Sequence, residues 1–241
     1  MYFVDIDLNC TTIYDERELH SIIMSHLHLC FVKEKNEIVG KNKFAVAYPL
    51  LDESLHSLGR KVRIISNDNV GFDRLNFNAL VDECEISDTF YINISSKPRR
   101  VPTKNIRWVK YKKTSGLNKD ALVHHFIVVN GWNTDELKKR FHTEIDTYKN
   151  KVESYKERYP FVFLSSASNE RDYKFVVKKT KAKFNPTYKF EKNIETKEIT
   201  VINNSEEFTD NFTSFGMGEY SYKKTEDGII VVCNQFSVPE W

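Results

Sequence analysis

Seven histidines are the side chains in this sequence best suited to moving protons near neutral pH, because an unperturbed imidazole has a pKa of about 6.5. They are His20, His26, His28, His56, His124, His125 and His142. His26 and His28 lie two residues apart in a predicted helix, which separates them by about 200° around its axis. They cannot bind one metal ion as a pair, since ligands on a helix need a spacing of three or four residues. His124 and His125 fail the same test, so the pattern alone favours surface or core histidines.

Three serines follow an apolar segment in the second half of the chain. Ser165, Ser166 and Ser168 come directly after or close behind the apolar residues 161–164, which predicts a strand edge or a loop. No Gly-x-Ser-x-Gly sequence is present, so a hydrolase nucleophile elbow is not indicated. The four cysteines contain no Cys-x-x-Cys pair. Free thiols are therefore a simpler interpretation than a disulfide framework or a zinc site.

Composition excludes several classes of protein. The 241 residues are 40% hydrophobic and 29% charged, which is ordinary for a globular chain. No run of 18 apolar residues could cross a membrane, and residues 1–10 carry acids where a secretion signal carries basic residues, so we expect a cytoplasmic protein. The eight glycines form no Walker or Rossmann phosphate loop, so we expect no nucleotide cofactor. A net charge of +2 is too small to indicate nucleic-acid binding by itself.

Apolar periodicity predicts an α+β fold in two domains. Strands at 2–8, 37–48, 61–66 and 90–94 and helices at 15–33 and 70–84 give the order β-α-β-β-α-β of a ferredoxin-like domain. The segment 95–102 has the composition of a linker. We therefore predict a ferredoxin-like domain at 1–97 and a distinct α+β domain at 98–241.

The second predicted domain contains two helices followed by strands. The helices are expected at 117–129 and 133–157, and the strands near 106–112, 161–167, 172–179, 185–190, 197–203 and 211–215. A final hairpin turns at Glu226-Asp227-Gly228.

Three blocks carry a resemblance to a known family. The first is SIIMSHLHLCF at 21–31, which follows the strand at 2–8. The second is AYPLLDES at 47–54, continued by Leu58-Gly59 and by VRI at 62–64. The third is YPFVFLSSAS at 159–168, followed by Tyr173 and by FTSFG at 212–216. In this order and spacing they resemble the repeat-processing endoribonucleases of type I-F CRISPR systems, the Cas-six or Csy-four family.

This resemblance implies an RNA-cleaving activity. Family members bind a CRISPR repeat stem-loop and cut 3′ of it, by attack of a ribose 2′-hydroxyl on the adjacent phosphorus without a metal ion. Such a reaction needs proton transfer and alignment. His28 matches the family's catalytic histidine, and Ser166 matches the serine that fixes the attacking nucleotide. Ser168 is the neighbouring RNA contact, and Tyr173 matches an aromatic that stacks on a base.

Two departures from the family pattern affect the expected site. The family's active-site tyrosine falls on Phe215, so its hydroxyl is missing. The family's arginine-rich helix aligns with 117–129, which contains no arginine. Electrostatic affinity grows with the number of phosphates neutralised, so other residues must supply it. The candidates for RNA contact are Trp108, Lys110, Lys112, Lys119, His124, His125, Lys138, Lys139 and Arg140.

Three functional hypotheses remain open at this stage. The first is an active endoribonuclease that keeps the guide RNA and joins the other subunits of the type I-F surveillance complex; intact His28, Ser166 and Ser168 favour it. The second is a catalytically inactive hairpin-binding subunit of the same complex, favoured by Phe215 and the missing arginines. The third is a ferredoxin-like interaction domain with no RNA partner.

Overall fold

The first hundred residues form an antiparallel sheet with helices connecting its strands. The computed structural model describes residues 1–33, 43–85, 90–114, 159–166, 171–181, 187–193, 199–205, 216–217, 219–225 and 228–241. In the first part these form β1 (Tyr2–Asn9), α1 (Ile13–Lys33), β2 (Ala45–Ala47), β3 (Lys61–Ser66), a 3-10 helix (Val70–Leu75), α2 (Phe77–Cys84), β4 (Tyr91–Ile94) and β5 (Arg99–Arg100). The strand order is β2-β3-β1-β4, with β5 also paired to β1. All of these pairs are antiparallel. The predicted β-α-β-β-α-β order is therefore confirmed.

Apolar and polar side chains alternate along the central strand β1, so the two faces of this sheet differ. Ile6 and Leu8 are buried in the hydrophobic core on one face. Asp5 points to the opposite face, where its register partner on β3 is Arg63. Successive side chains of a strand point to opposite faces, so an apolar–polar alternation of this kind fixes the register.

The helix predicted at 70–84 is divided in two, and this is a correction. Asn76 adopts a left-handed conformation with φ 47° and ψ 54° between the 3-10 helix and α2. The carbonyl of Leu75 accepts a hydrogen bond at 2.9 Å from Nε2 of His26, which lies on α1. Asparagine tolerates this conformation better than most residues, which allows the chain to break there.

The later strands form two further antiparallel sheets. They are β6 (Arg107–Thr114), β7 (Phe161–Ser166), β8 (Arg171–Lys181), β9 (Thr187–Asn193), β10 (Ile199–Ser205), β11 (Glu219–Thr225), β12 (Gly228–Phe236) and β13 (Val238–Glu240). The sheet orders are β13-β6-β8-β7 and β10-β9-β12-β11. The predicted final hairpin is confirmed, because Thr225 pairs with Gly228. The helices predicted at 117–129 and 133–157 and the strand at 211–215 lie outside the described residues.

One hydrophobic cluster runs from the first sheet into the sheet of β6, β7 and β8. It joins buried residues of β1 and α1 to Val109 and Tyr111 of β6 and to Leu164 of β7. The hydroxyl of Tyr111 donates to the carbonyl of Tyr48 at 2.8 Å. The division at residue 97 stays a prediction. The α+β fold class is confirmed, and no helix in the described ranges is long and apolar enough to span a bilayer.

A buried ion network covers the face of the first sheet that carries Asp5. Arg63 binds both carboxylate oxygens of Asp5, at 2.6 and 3.0 Å, and Arg99 approaches the same carboxylate at 3.0 Å. The Arg63 guanidinium also stacks 4.0 Å from the ring centroid of Trp241. Burial alone raises the pKa of Asp5. The hydrogen bond from Arg63 and the charges of Arg63, Lys61 and Arg99 outweigh that effect, so its pKa lies below the usual 3.8.

We expect this network to stabilise the fold above about pH 4 and to weaken in acid. A carboxyl whose pKa is lower in the folded than in the unfolded chain contributes stability above its unfolded pKa. That stability is lost as the pH falls through the folded value. Urea unfolding of wild type and Asp5→Asn between pH 7 and pH 3 measures it. The wild type should lose more unfolding free energy below pH 4 than Asp5→Asn loses. Asp7→Asn, which removes a 53% exposed carboxylate, is the control and should keep the wild-type acid loss. Equal acid sensitivity of wild type and Asp5→Asn would contradict the assignment.

Candidate functional site

The helix α1 presents three of the seven histidines in different surroundings. Thr12 and Asp15 fix its start, because the Thr12 hydroxyl accepts from Asp15 N–H at 3.1 Å and the Asp15 carboxylate accepts from Thr12 N–H at 3.0 Å. Reciprocal bonds of this kind satisfy backbone donors that a helix N-terminus leaves without partners. The apolar side of the helix, including Leu19, Ile23 and Leu27, is fully buried.

His20 and His26 are structural. His20 is completely buried and its Nε2–H donates to the carbonyl of Gly59 at 2.8 Å. Burial lowers the pKa of His20, so this imidazole is neutral. His26 lies with Nε2 against Leu75 O and with Nδ1 3.3 Å from Glu83 Oε1. Both imidazole rings therefore make hydrogen bonds within the protein.

His28 is half-buried and lies on a different side of α1 from His26. Its neighbour Leu29 is 58% exposed. The prediction that His26 and His28 face different surroundings is therefore confirmed. Of the three α1 histidines, His28 is the least buried, whereas His20 and His26 are 0% and 9% exposed.

The side of α1 that carries His28 packs along β7. The Arg17 guanidinium lies 4.3 Å from the Phe161 ring centroid. One helical turn later, the Ser21 hydroxyl donates to the carbonyl of Phe163. Arg17, Ser21 and His28 fall within about 40° of one another around the helix axis. The two contacts occur in the same order along both elements, so α1 and β7 run in the same direction.

The rise of each element brings Ser166 about level with His28. From Ser21 to His28 the helix advances roughly 10 Å, at about 1.5 Å per residue. From Phe163 to Ser166 the strand also advances roughly 10 Å, at about 3.3 Å per residue. We call this pair of elements the α1–β7 seam. Its Ser21 bond spans 142 positions in sequence, so no local pattern could have revealed it.

A rigid loop at 49–59 is bonded to the first turns of α1. The carboxylate of Glu16 accepts from the Ser57 hydroxyl at 2.7 Å and from Gly59 N–H at 3.2 Å. Asp52 accepts from Ser54 N–H at 2.8 Å and pairs by a backbone bridge with Ser57. The Asp-Glu-Ser and Leu-Gly parts of the second sequence block thus build a loop that fixes α1 on the sheet.

Gly216 attaches the region of the third sequence block to the edge strand β2. Its carbonyl accepts from Val46 N–H at 3.0 Å, and its φ is +68°. A Cβ atom at this position would lie 2.7 Å from the Val46 nitrogen, so only glycine fits this contact. The neighbouring Phe215 lies outside the described residues.

The predicted RNA contacts on β6 differ in accessibility. Trp108 is half-buried and packs against the hydrophobic core. Lys110 is only 6% exposed, so a phosphate could reach its ammonium group only after a local rearrangement. Lys112 lies on the same strand, opposite Lys178 of β8. All three RNA contacts stay predictions.

Other predicted site residues are placed only by their strands or not at all. Ser166 and Tyr173 lie on the paired strands β7 and β8, where Ser166 is opposite Arg171 and Tyr173 is opposite Leu164. Eight predicted residues lie outside the described part of the chain: Ser168, Phe215, Lys119, His124, His125, Lys138, Lys139 and Arg140. Among the residues that are described, no group of three or more His, Cys, Asp or Glu side chains is arranged to hold a metal ion.

Comparison with known proteins identifies the family. A family model for the CRISPR-associated protein (Cas_Csy4) matches residues 3–201, more than four fifths of the chain. The matched region includes α1 with His28, the 49–59 loop and β7. Comparison with curated proteins gives no significant match. The chain belongs to the Cas_Csy4 family and is a repeat-processing endoribonuclease of the type I-F CRISPR kind.

Proposed function

We propose that this endoribonuclease cleaves precursor CRISPR RNA 3′ of the repeat stem-loop without a metal ion, with reaction chemistry at the α1–β7 seam. The observation that carries this proposal is the same-direction packing of α1 and β7, which brings the Ser166 backbone level with His28. A site for phosphodiester cleavage needs a proton-transfer group and a nucleotide-positioning group on elements held rigidly together. The Arg17 and Ser21 contacts to β7 supply that rigidity.

The reaction transfers two protons and exchanges one bond to phosphorus. The 2′-oxygen loses its proton and forms a bond to the adjacent phosphorus, while the bond from phosphorus to the 5′-oxygen breaks. The products are a 2′,3′-cyclic phosphate and a 5′-hydroxyl that has gained a proton. An imidazole can accept the first proton or donate the second, so we assign His28 as the general acid or base. Ser166 holds the nucleotide that carries the attacking hydroxyl, and Phe215 stands in the sequence where the family has a tyrosine, so that hydroxyl is missing.

A repeat RNA with a single 2′-deoxy nucleotide at the cleavage position tests this mechanism. In EDTA, the wild-type protein should bind the deoxy RNA as well as the all-ribose RNA but cut only the latter, because the nucleophile is missing. An RNA with the deoxy nucleotide moved one position away is the matched control and should be cut. Cleavage of the first deoxy RNA, or activity that requires added Mg²⁺, would refute the proposal.

The same assay distinguishes the second candidate function, an inactive hairpin-binding subunit. The replacement of a tyrosine by Phe215 favours that alternative. Its signature is a stable complex with the all-ribose RNA and no cut product at any enzyme concentration. For the active enzyme we further propose that the product hairpin stays bound and that the protein enters the cytoplasmic surveillance complex with its other subunits. Cleavage limited to one turnover per protein molecule would support this retention.

A further inference from the structure

The chain from 89 to 119 has a charge composition unlike the rest of the sequence. It contains nine of the 36 lysines and arginines and none of the 34 aspartates and glutamates. The whole chain carries a net charge of only +2, so positive charge is concentrated here and the remainder is acidic overall. An uninterrupted basic segment of this length is typical of contact with a polyanion.

The first part of this segment is fixed on the ferredoxin-like sheet, although the sequence predicts a linker there. Arg99 and Arg100 form β5 and pair with Tyr2 and Phe3 of β1. The Arg99 guanidinium binds the buried Asp5 carboxylate at 3.0 Å and lies 4.7 Å from the Phe3 ring centroid. Val101 is 8% exposed and its N–H donates to the Met1 carbonyl at 3.2 Å. The basic groups here therefore project from an anchored backbone.

Besides Arg99, four described cations of the segment are exposed to solvent, and we name these four the cationic strap. They are Lys97, Arg100, Lys104 and Arg107. Within the described part of the chain, the ion pairs found do not include any of the four. Glu240 is the register partner of Arg107, but its carboxylate is bound by Lys179 at 2.7 Å. The Arg100 guanidinium lies 5.8 Å from the Tyr2 ring centroid.

Arg99 is excluded from the strap because its charge is already used. Asp5 accepts from Arg99 and Arg63 together, so the Arg99 guanidinium serves to hold β5 in place. Arg99 therefore anchors the backbone, and the strap cations on either side of it remain available to a ligand.

We propose that the cationic strap binds the phosphate backbone of the RNA substrate. The proposal rests on the proposed function, because that function supplies the polyanion. Lysine and arginine side chains that neutralise phosphates release condensed counterions, which gives affinity without base specificity. The strap thus contributes to affinity, and the α1–β7 seam determines the rate of cleavage. The phosphates belong either to the hairpin or to the single strands that flank it.

Salt-dependent binding by matched double variants tests this assignment. Arg100→Gln/Arg107→Gln removes two charges of the strap. Arg60→Gln/Arg74→Gln removes two exposed arginine charges elsewhere and is the control. Log affinity falls as log salt rises, and each lost phosphate contact should make this negative slope shallower by about 0.7 on a single strand or about 0.9 on a duplex. We therefore expect the slope of the strap variant to be shallower by about 1.4–1.8, with the control close to wild type.

Two RNAs identify which phosphates are bound. If the strap binds the hairpin, the strap variant has a shallower salt slope than wild type with both a hairpin-only RNA and a flanked RNA. If the strap binds the flanking strand, the slope is shallower with the flanked RNA alone. Cleavage of the flanked RNA by the control variant Arg60→Gln/Arg74→Gln should match the wild-type rate. An unchanged slope with both RNAs, while wild type binds and cuts, would overturn the strap assignment alone. Failure of the wild type to bind either RNA would overturn the proposed function and the strap with it.

Discussion

Substitution of His28 by alanine is expected to lower the rate of repeat RNA cleavage by about 100- to 10,000-fold, which is the usual contribution of general acid–base catalysis. Binding of the hairpin should be largely unchanged, because His28 contributes one side chain to an interface carried mainly by phosphate contacts. Single-turnover cleavage at saturating protein measures the rate, and a gel-shift titration measures the affinity for the hairpin. Both measurements are carried out in EDTA.

The structure supplies a histidine control for this experiment. His56 is half-buried in the 49–59 loop with a φ of 52° and is not one of the residues that form the α1–β7 seam. His56→Asn keeps a residue that tolerates this left-handed conformation and should cleave at the wild-type rate. His26 is a poor control because its ring connects α1 to Leu75 and Glu83. If His28→Ala cuts as fast as His56→Asn, the assignment of His28 is wrong.

His28→Gln separates proton transfer from a purely positioning role. Glutamine keeps hydrogen-bonding capacity but cannot transfer a proton as an imidazole does. We therefore expect His28→Gln to cleave as slowly as His28→Ala in the same single-turnover assay. Cleavage by His28→Gln close to the wild-type rate would mean that the side chain only positions the substrate.

Local patterns predicted the elements that depend on local periodicity. The strand β1, the helix α1 and the β11–β12 hairpin all occur where apolar spacing and turn residues place them. The helix at 70–84 was predicted as continuous because its apolar spacing continues through Asn76. At the break, the Leu75 carbonyl accepts a hydrogen bond from His26, 49 positions away, a contact that no local pattern encodes.

The candidate site was predicted from family resemblance more than from residue chemistry. His28 is one of seven histidines, and spacing alone did not distinguish it from His20 or His26. The structure provides that distinction through burial and hydrogen-bond partners. The segment 95–102 was predicted as a linker from its prolines and serines. In the structure it pairs with β1, and Arg99 binds Asp5, a contact between residues 94 positions apart.

The largest expected effect on stability belongs to Gly59, which closes the 49–59 loop onto α1. Its φ of +83° is a conformation that side-chain-bearing residues rarely adopt. A Cβ atom there would lie 2.3 Å from the carbonyl oxygen of Leu50, which is backbone and cannot rotate away. Gly59→Ala should therefore combine backbone strain with steric overlap. We expect a loss of about 3 kcal/mol in unfolding free energy, or roughly 6–12 °C in Tm for a chain of this size.

The same residue holds α1 through both of its peptide groups. Its N–H donates to Glu16 and its carbonyl accepts from His20, so a shift of this peptide disturbs two turns of the helix. Because His28 lies on the same helix, cleavage should fall along with stability. A fall in cleavage greater than the loss of folded protein would show that the loop also positions α1 in molecules that remain folded.

Gly71→Ala is the matched control for this substitution. A Cβ atom at Gly71 would meet the flexible end of Lys43 at 2.9 Å and the edge of the Phe44 ring at 3.1 Å, and its backbone does not lie in the left-handed region. Lys43 can move and the Phe44 ring needs to shift by only a few tenths of an ångström, so this variant should unfold within about 1 kcal/mol of the wild type. Urea unfolding followed by circular dichroism compares the three proteins. Equal midpoints for Gly59→Ala and Gly71→Ala would mean that the loop accommodates a methyl group. In that case the bonds among Glu16, Ser57 and Gly59 would be a consequence of how α1 packs, with no part in fixing it.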